Sequence, residues 1–166
     1  MATLIAIPIL GVLLILQTAV ISQIPLLRGT SDLVMVAIIA WSLQKTVKTA
    51  WQWGIIGGLL VGITTALPYA LPVFGYLLVV GMVLLLRQRV WQVPILAMFV
   101  ATFLGTIIIH GLSIVVLRFT GTPLSWLESV NMITLPSLLI NLLVALPAYA
   151  IFGDLARWLY PAELEV

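Results

Sequence analysis

Cysteine is absent from the 166 residues, histidine occurs once, and charged side chains make up only 7%. Without cysteine there is no disulfide framework and no thiol chemistry, and the redox compartment leaves no mark. With one histidine, a metal site would need His110 plus distant carboxylates, and no recognisable ligand spacing joins them. Soluble domains carry roughly 25% charged residues, so so few charges exclude a water-soluble globule. The net charge of +2 is too small to point to nucleic acid. The basic residues instead sit beside apolar stretches, where orientation in a membrane accounts for them.

What the chain has in abundance is apolar sequence. Its residues are 63% hydrophobic with a mean hydropathy of +1.29, and several charge-free runs approach the ~20 residues of a spanning helix. We expect one integral membrane domain over 1–166, all-α, with six transmembrane helices in a compact bundle. Their approximate spans are 4–24, 29–46, 50–67, 70–86, 93–117 and 133–152. The first reads as a retained helix, because no basic residue precedes it and it is too long for a signal h-region. Pro25 stops it, and Arg28-Gly29-Thr30-Ser31-Asp32 makes a polar break. Pro68-Tyr69-Ala70-Leu71-Pro72 reads as a tight turn, and Phe119 to Asn131 as a short loop. No internal repeat or low-complexity segment is present, which argues against an inverted-repeat transporter.

The second segment leaves two topologies open. Its apolar part, Leu33 to Leu43, spans only ~16 Å as a helix against a hydrocarbon core of ~30 Å. If it crosses, six passes put Lys45, Lys48, Arg87, Arg89 and Arg157 on the inside, with Arg28 and Arg118 outside. If it is re-entrant, five passes move Arg28 and reverse the first helix. Both obey the positive-inside tendency.

No enzyme motif is present, and no metal or cofactor site is expected. Small residues at four-residue spacing let membrane helices approach closely. Gly54, Gly58 and Gly62 form such a row on the third helix, and Ala97, Ala101 and Gly105 another on the fifth. Either row serves packing within the chain or docking of a partner helix. Gln17, Gln23, His110 and Asn141, with Ser22 and Asn131, are candidate hydrogen-bonding ties between helices, and a ligand-binding role for them is the alternative. His110 is the one ionisable group placed well inside a span, where a titrating role stands beside a structural one. Arg118 and Glu128 flank the last loop and could pair, for little stability.

The order of these features resembles the rod shape-determining protein MreD family of bacteria across nearly the whole chain. The marks are Ser31-Asp32-Leu33-Val34 opening the second helix and Trp53-Gly54-Ile55-Ile56-Gly57-Gly58-Leu59-Leu60 in the third. Ala66-Leu67-Pro68 follows, then Gly75-Tyr76-Leu77-Leu78-Val79-Val80-Gly81 closed by Arg87-Gln88-Arg89, and last Leu135-Pro136-Ser137 with Asn141. Family members often carry an acidic residue where this chain has Gly62. The resemblance implies a non-enzymatic bacterial inner-membrane scaffold of the cell-elongation machinery, or elongasome. Its partner would be MreC, a single-span protein that passes information to the peptidoglycan glycosyltransferase and transpeptidase, with MreB filaments on the cytoplasmic side. The family is also similar in architecture to the S components of energy-coupling-factor vitamin transporters, with both termini cytoplasmic. That likeness implies six crossings and supplies the alternative function, a vitamin-binding component. Against the alternative, the first helix lacks a clear small-residue row and the outer half offers few polar groups.

Overall fold

The computed structural model describes residues 2–19, 29–89, 93–122 and 125–161. Within them the chain is helical and forms no strand: α1 (Ala2–Ala19), α2 (Leu33–Leu43), α3 (Ala50–Thr64), α4 (Ala70–Arg89), α5 (Pro94–Phe119), α6 (Trp126–Ser129) and α7 (Leu135–Leu159). A π-helical segment, Val130–Thr134, joins α6 to α7, so Trp126–Leu159 is one 34-residue rod. The bundle therefore has six rods.

Local chemistry accounts for the helix ends. Asp32 caps α2 by accepting the Met35 N–H at 2.9 Å, the usual N-cap arrangement. Pro94 occupies the first turn of α5, where its missing N–H costs nothing. α5 ends at Gly121, whose φ of +88° is left-handed. There the Gly121 N–H bonds the Arg118 carbonyl and the Thr122 N–H bonds that of Leu117, a Schellman closure. α3 stops at Thr64, three residues earlier than expected, because Pro68 disfavours helical backbone at the residue before it.

The expected loop from Phe119 to Asn131 is shorter than the sequence suggests. Residues from Trp126 onward are already helical, and the sixth rod runs 126–159 instead of 133–152. Pro136 lies just beyond the π-helical segment and cannot bond or sterically tolerate a regular carbonyl four residues back. A widened turn relieves that clash, and the Leu135 N–H accordingly reaches back five residues to Val130.

Four rods are long and apolar enough to cross a bilayer: Ala2–Ala19, Ala70–Gln88, Pro94–Phe119 and Trp126–Leu159. Their outward side chains are large and apolar, among them Leu4, Ile15, Leu85, Leu143 and Ile151. The architecture is that of a multi-pass helical membrane protein. α2 has the opposite environment: all eleven of its residues are buried, and it packs against α1, α3, α4, α5 and α7. A helix hydrophobic on every side belongs inside a bundle.

The two ends of α2 meet different parts of the bundle. Its start meets Tyr76 and Asn141, whereas Trp41 near its end stacks on Trp53 at 4.5 Å and touches Tyr160. Trp53 also donates to the Ala2 carbonyl at 3.1 Å. The start of α1 and the end of α7 thus share one end of the bundle with Lys45, Lys48, Arg87 and Arg157.

Candidate functional site

Polar side chains from four rods converge on the N-terminus of α2. A helix start inside a bilayer exposes N–H groups that water cannot reach, so protein groups must take them. Asn141 of α7 accepts the Asp32 N–H and the Ser31 hydroxyl through Oδ1, both at 2.8 Å. Gln17 of α1 accepts the Val34 N–H at 3.4 Å, and Asp32 takes that of Met35. Asn141 Nδ2 donates to Thr106 of α5 at 3.0 Å, which hands its own proton to the Thr102 carbonyl at 2.8 Å. Ser137, one turn before Asn141, accepts the Thr30 N–H at 3.0 Å. Gly29 makes that approach possible, since a Cβ there would lie 2.5 Å from Pro136 Cβ.

Asp32 has a second tie. The Tyr76 hydroxyl of α4 lies 2.8 Å from Oδ1 and 2.9 Å from Oδ2; its single proton serves one oxygen at a time. The carboxylate also sits at the positive end of the α2 dipole. At the other end, Arg87 of α4 points Nη1 at three carbonyls, those of Ser42 (3.2 Å), Gln44 (2.8 Å) and Val47 (3.4 Å). Tyr76 and Arg87 are eleven residues apart, about 16 Å along a helix, which matches the length of α2. One helix thus holds both ends of another.

Two cavities open beside this centre. A small one of about 60 Å³ is bordered by Asp32, Tyr76, Thr65 and Ser113. A larger cleft of about 250 Å³ lies between α5 and the π-helical segment, lined by His110, Ser113, Ser129, Thr134 and apolar neighbours. Ile109 and Ser113 border both. His110 is half-buried, with Nδ1 3.2 Å from the Thr134 hydroxyl.

The candidate residues fall into distinct places. Gly54 and Gly58 face α4, and Gly62 faces the turn leading into it: a Cβ on Gly58 would sit 2.5 Å from Val73 Cα, one on Gly54 would meet Val80, and one on Gly62 would meet Tyr69. That face is filled from within the chain, and a partner helix would have to displace α4. The α5 row is filled too. Ala97 and Ala101 are buried, and Gly105 lies against Ile39 and Met35 of α2 and Val79 of α4. Gln17, His110 and Asn141 each reach another helix, whereas Gln23 and Ser22 lie outside the described residues. Arg118 does not meet Glu128; its guanidinium lies over the Trp126 ring at 5.3 Å, because the early start of α6 brings that ring alongside.

Asp32, Tyr76, Thr106 and Arg87 were not among the candidate ties. Asp32 had a signal, an N-cap type directly before a long apolar run; the other three have partners that only the tertiary fold reveals. Among the described residues, no three His, Asp or Glu side chains cluster as a metal site. No protein-family model, no curated protein and no solved structure matches the chain.

Proposed function

We propose that the chain is a non-enzymatic membrane scaffold of the MreD type, which receives the membrane helix of an MreC-like single-span protein and so helps regulate peptidoglycan synthesis in bacterial cell elongation. The order of sequence marks supports the family. The observation that supports partner binding is a wholly apolar groove of about 280 Å³ between two span-length rods, lined by Phe99, Val100, Phe103 and Leu104 of α5 and Leu142 of α7. Both small-residue rows are consumed internally, so an incoming helix needs an outward surface, and this shallow apolar groove between two rods offers one. The clustering of Lys45, Lys48, Arg87 and Arg157 at the end that carries both termini supports a cytoplasmic placement of that end, in the inner membrane.

The vitamin-binding alternative asks for a pocket of about 300–1,000 Å³. The cleft beside His110 is smaller and, among the described residues, has no charged lining side chain, which favours the scaffold reading. The test is co-purification with an MreC-like partner from membranes. Val100→Trp and Leu142→Trp, which fill the groove, should abolish it, while Leu4→Trp on the outer face of α1 should not. Retention by both groove variants with normal melting would exclude the groove. Failure of the unaltered chain to capture the partner, or to restore rod shape to cells depleted of their own MreD, would sink the scaffold reading.

A further inference from the structure

The cleft beside His110 has features that helix packing does not require. Its floor is one face of α5, with Ile109, His110, Ser113, Ile114 and Leu117, its wall is Ser129, Ile133 and Thr134, and Thr30 completes the lining. The wall is the π-helical segment, and such widened turns occur disproportionately at functional sites. The Thr134 hydroxyl lies 3.4 Å from the Ser129 carbonyl and 3.2 Å from His110 Nδ1; with its proton on the carbonyl, its oxygen accepts from Nδ1–H. A neutral imidazole protonated on Nδ1 presents Nε2 as an acceptor, and Nε2 has no partner among the described residues. The Ser113 and Ser129 hydroxyl protons are likewise engaged, on the Ile109 and Ser125 carbonyls, at 2.8 and 2.9 Å. Among the described residues, no lysine or arginine lines the cleft or the small cavity that adjoins it, and Asp32 borders the latter. The described lining therefore offers hydroxyl and imidazole acceptors, holds no cation and is otherwise apolar, which disfavours anions and suits a hydrogen-bond donor.

We propose that the cleft between α5 and the π-helical segment binds a small uncharged molecule with an apolar body and one O–H or N–H donor, which it places on His110 Nε2. The site goes beyond the scaffold reading and stands or falls separately from it. A volume near 250 Å³ suits a ligand of roughly ten non-hydrogen atoms, below the usual drug-sized pocket.

Because His110 is the only histidine in the chain, the Nε2 resonance of protein labelled with ¹⁵N-histidine reports on this site alone. Benzyl alcohol and toluene are matched probes, alike in shape, one with a donor and one without. In nanodiscs, benzyl alcohol should shift Nε2 saturably, and toluene should bind at least ~10-fold more weakly, as expected where a site's polar group loses its partner. Ile133→Trp, which fills the cleft, should remove the saturable shift while leaving the melting temperature near that of the parent. If that variant does not fold, Ser129→Leu takes its place. A shift that grows linearly with probe, persists in the filled variant, or is equal for toluene would overturn the site, as would no shift at all.

Discussion

The two ends of α2 solve the same problem with different chemistry. Both ends leave backbone groups without helical partners, the N-terminal end deep among the rods and the C-terminal end beside the exposed Lys45 and Thr46. The N-terminal end is satisfied by short neutral side chains from α1, α5 and α7 and by its own cap, Asp32. The C-terminal end is satisfied by the guanidinium of Arg87 and the Gln44 side chain, under a stack of Trp41 and Trp53 with Tyr160 and Phe152 alongside. The difference follows from reach. A network of amides and hydroxyls needs several helices close together, and each member has few alternatives. A single Arg spans three carbonyls from one helix and keeps its charge near the interface, where aromatic rings also prefer to lie. The N-terminal end is thus brittle and the C-terminal end tolerant.

Asn141→Leu is the severest test of that contrast. It keeps the branched outline in a somewhat larger side chain but strands the Ser31 hydroxyl, the Asp32 N–H and one bond of Thr106. Each unsatisfied buried group costs roughly 1–3 kcal/mol, so a loss of about 3–5 kcal/mol is expected. Reversible unfolding in mixed micelles measures it. A loss below about 1 kcal/mol would mean that the network contributes little and that the contrast is wrong.

Arg87→Met at the other end should cost less, about 1–2 kcal/mol. The stem still packs, and the freed carbonyls lie near enough to the interface to find water. The same titration reads the effect. If Arg87→Met proves costlier than Asn141→Leu, the order of brittleness reverses.

Much of this arrangement was legible in the sequence, but unevenly. Composition identifies the membrane class because transfer energetics act on every residue alike. Asn141 and Gln17 stand out as ties because an amide in an apolar run needs a partner. What the glycine row packs against was not legible: spacing shows that a backbone comes close at Gly58, but α4 and a foreign helix would leave the same pattern. The second helix was the hardest to place. Eleven residues are too few to cross a bilayer, and only the surrounding rods show how each end of the helix is met, by side chains from its neighbours. The π-helical segment also leaves no periodic signature, since Pro136 predicts a disturbance without predicting its form.

Tyr76→Phe removes only the proton shared with the Asp32 carboxylate. The Met35 N–H and the α2 dipole remain to stabilise it, so a loss of about 1 kcal/mol is expected, within the ~0.6–2 kcal/mol of interhelical hydrogen bonds in membranes. Combined with Arg87→Met, the costs should add within about 0.5 kcal/mol, because the two sites are more than 10 Å apart with no shared partner. A larger coupling would show that α4 transmits strain from one end of α2 to the other.

The smallest effects come from two serines that flank the same helix. Ser31 donates to Asn141, whereas the Ser42 hydroxyl is buried with no hydrogen-bond partner among the described residues. Both are fully buried, so solvent exposure and residue type are matched and only partnership differs. Ser31→Ala should cost about 1 kcal/mol, the net value of one hydrogen bond. Ser42→Ala should be neutral or stabilising by a few tenths, because burying an unpaired hydroxyl is itself unfavourable. A pair of melting curves separates the outcomes. Equal losses at the two positions would mean that Ser42 has a partner after all, and that the C-terminal end of α2 depends on small polar groups as much as the N-terminal end does.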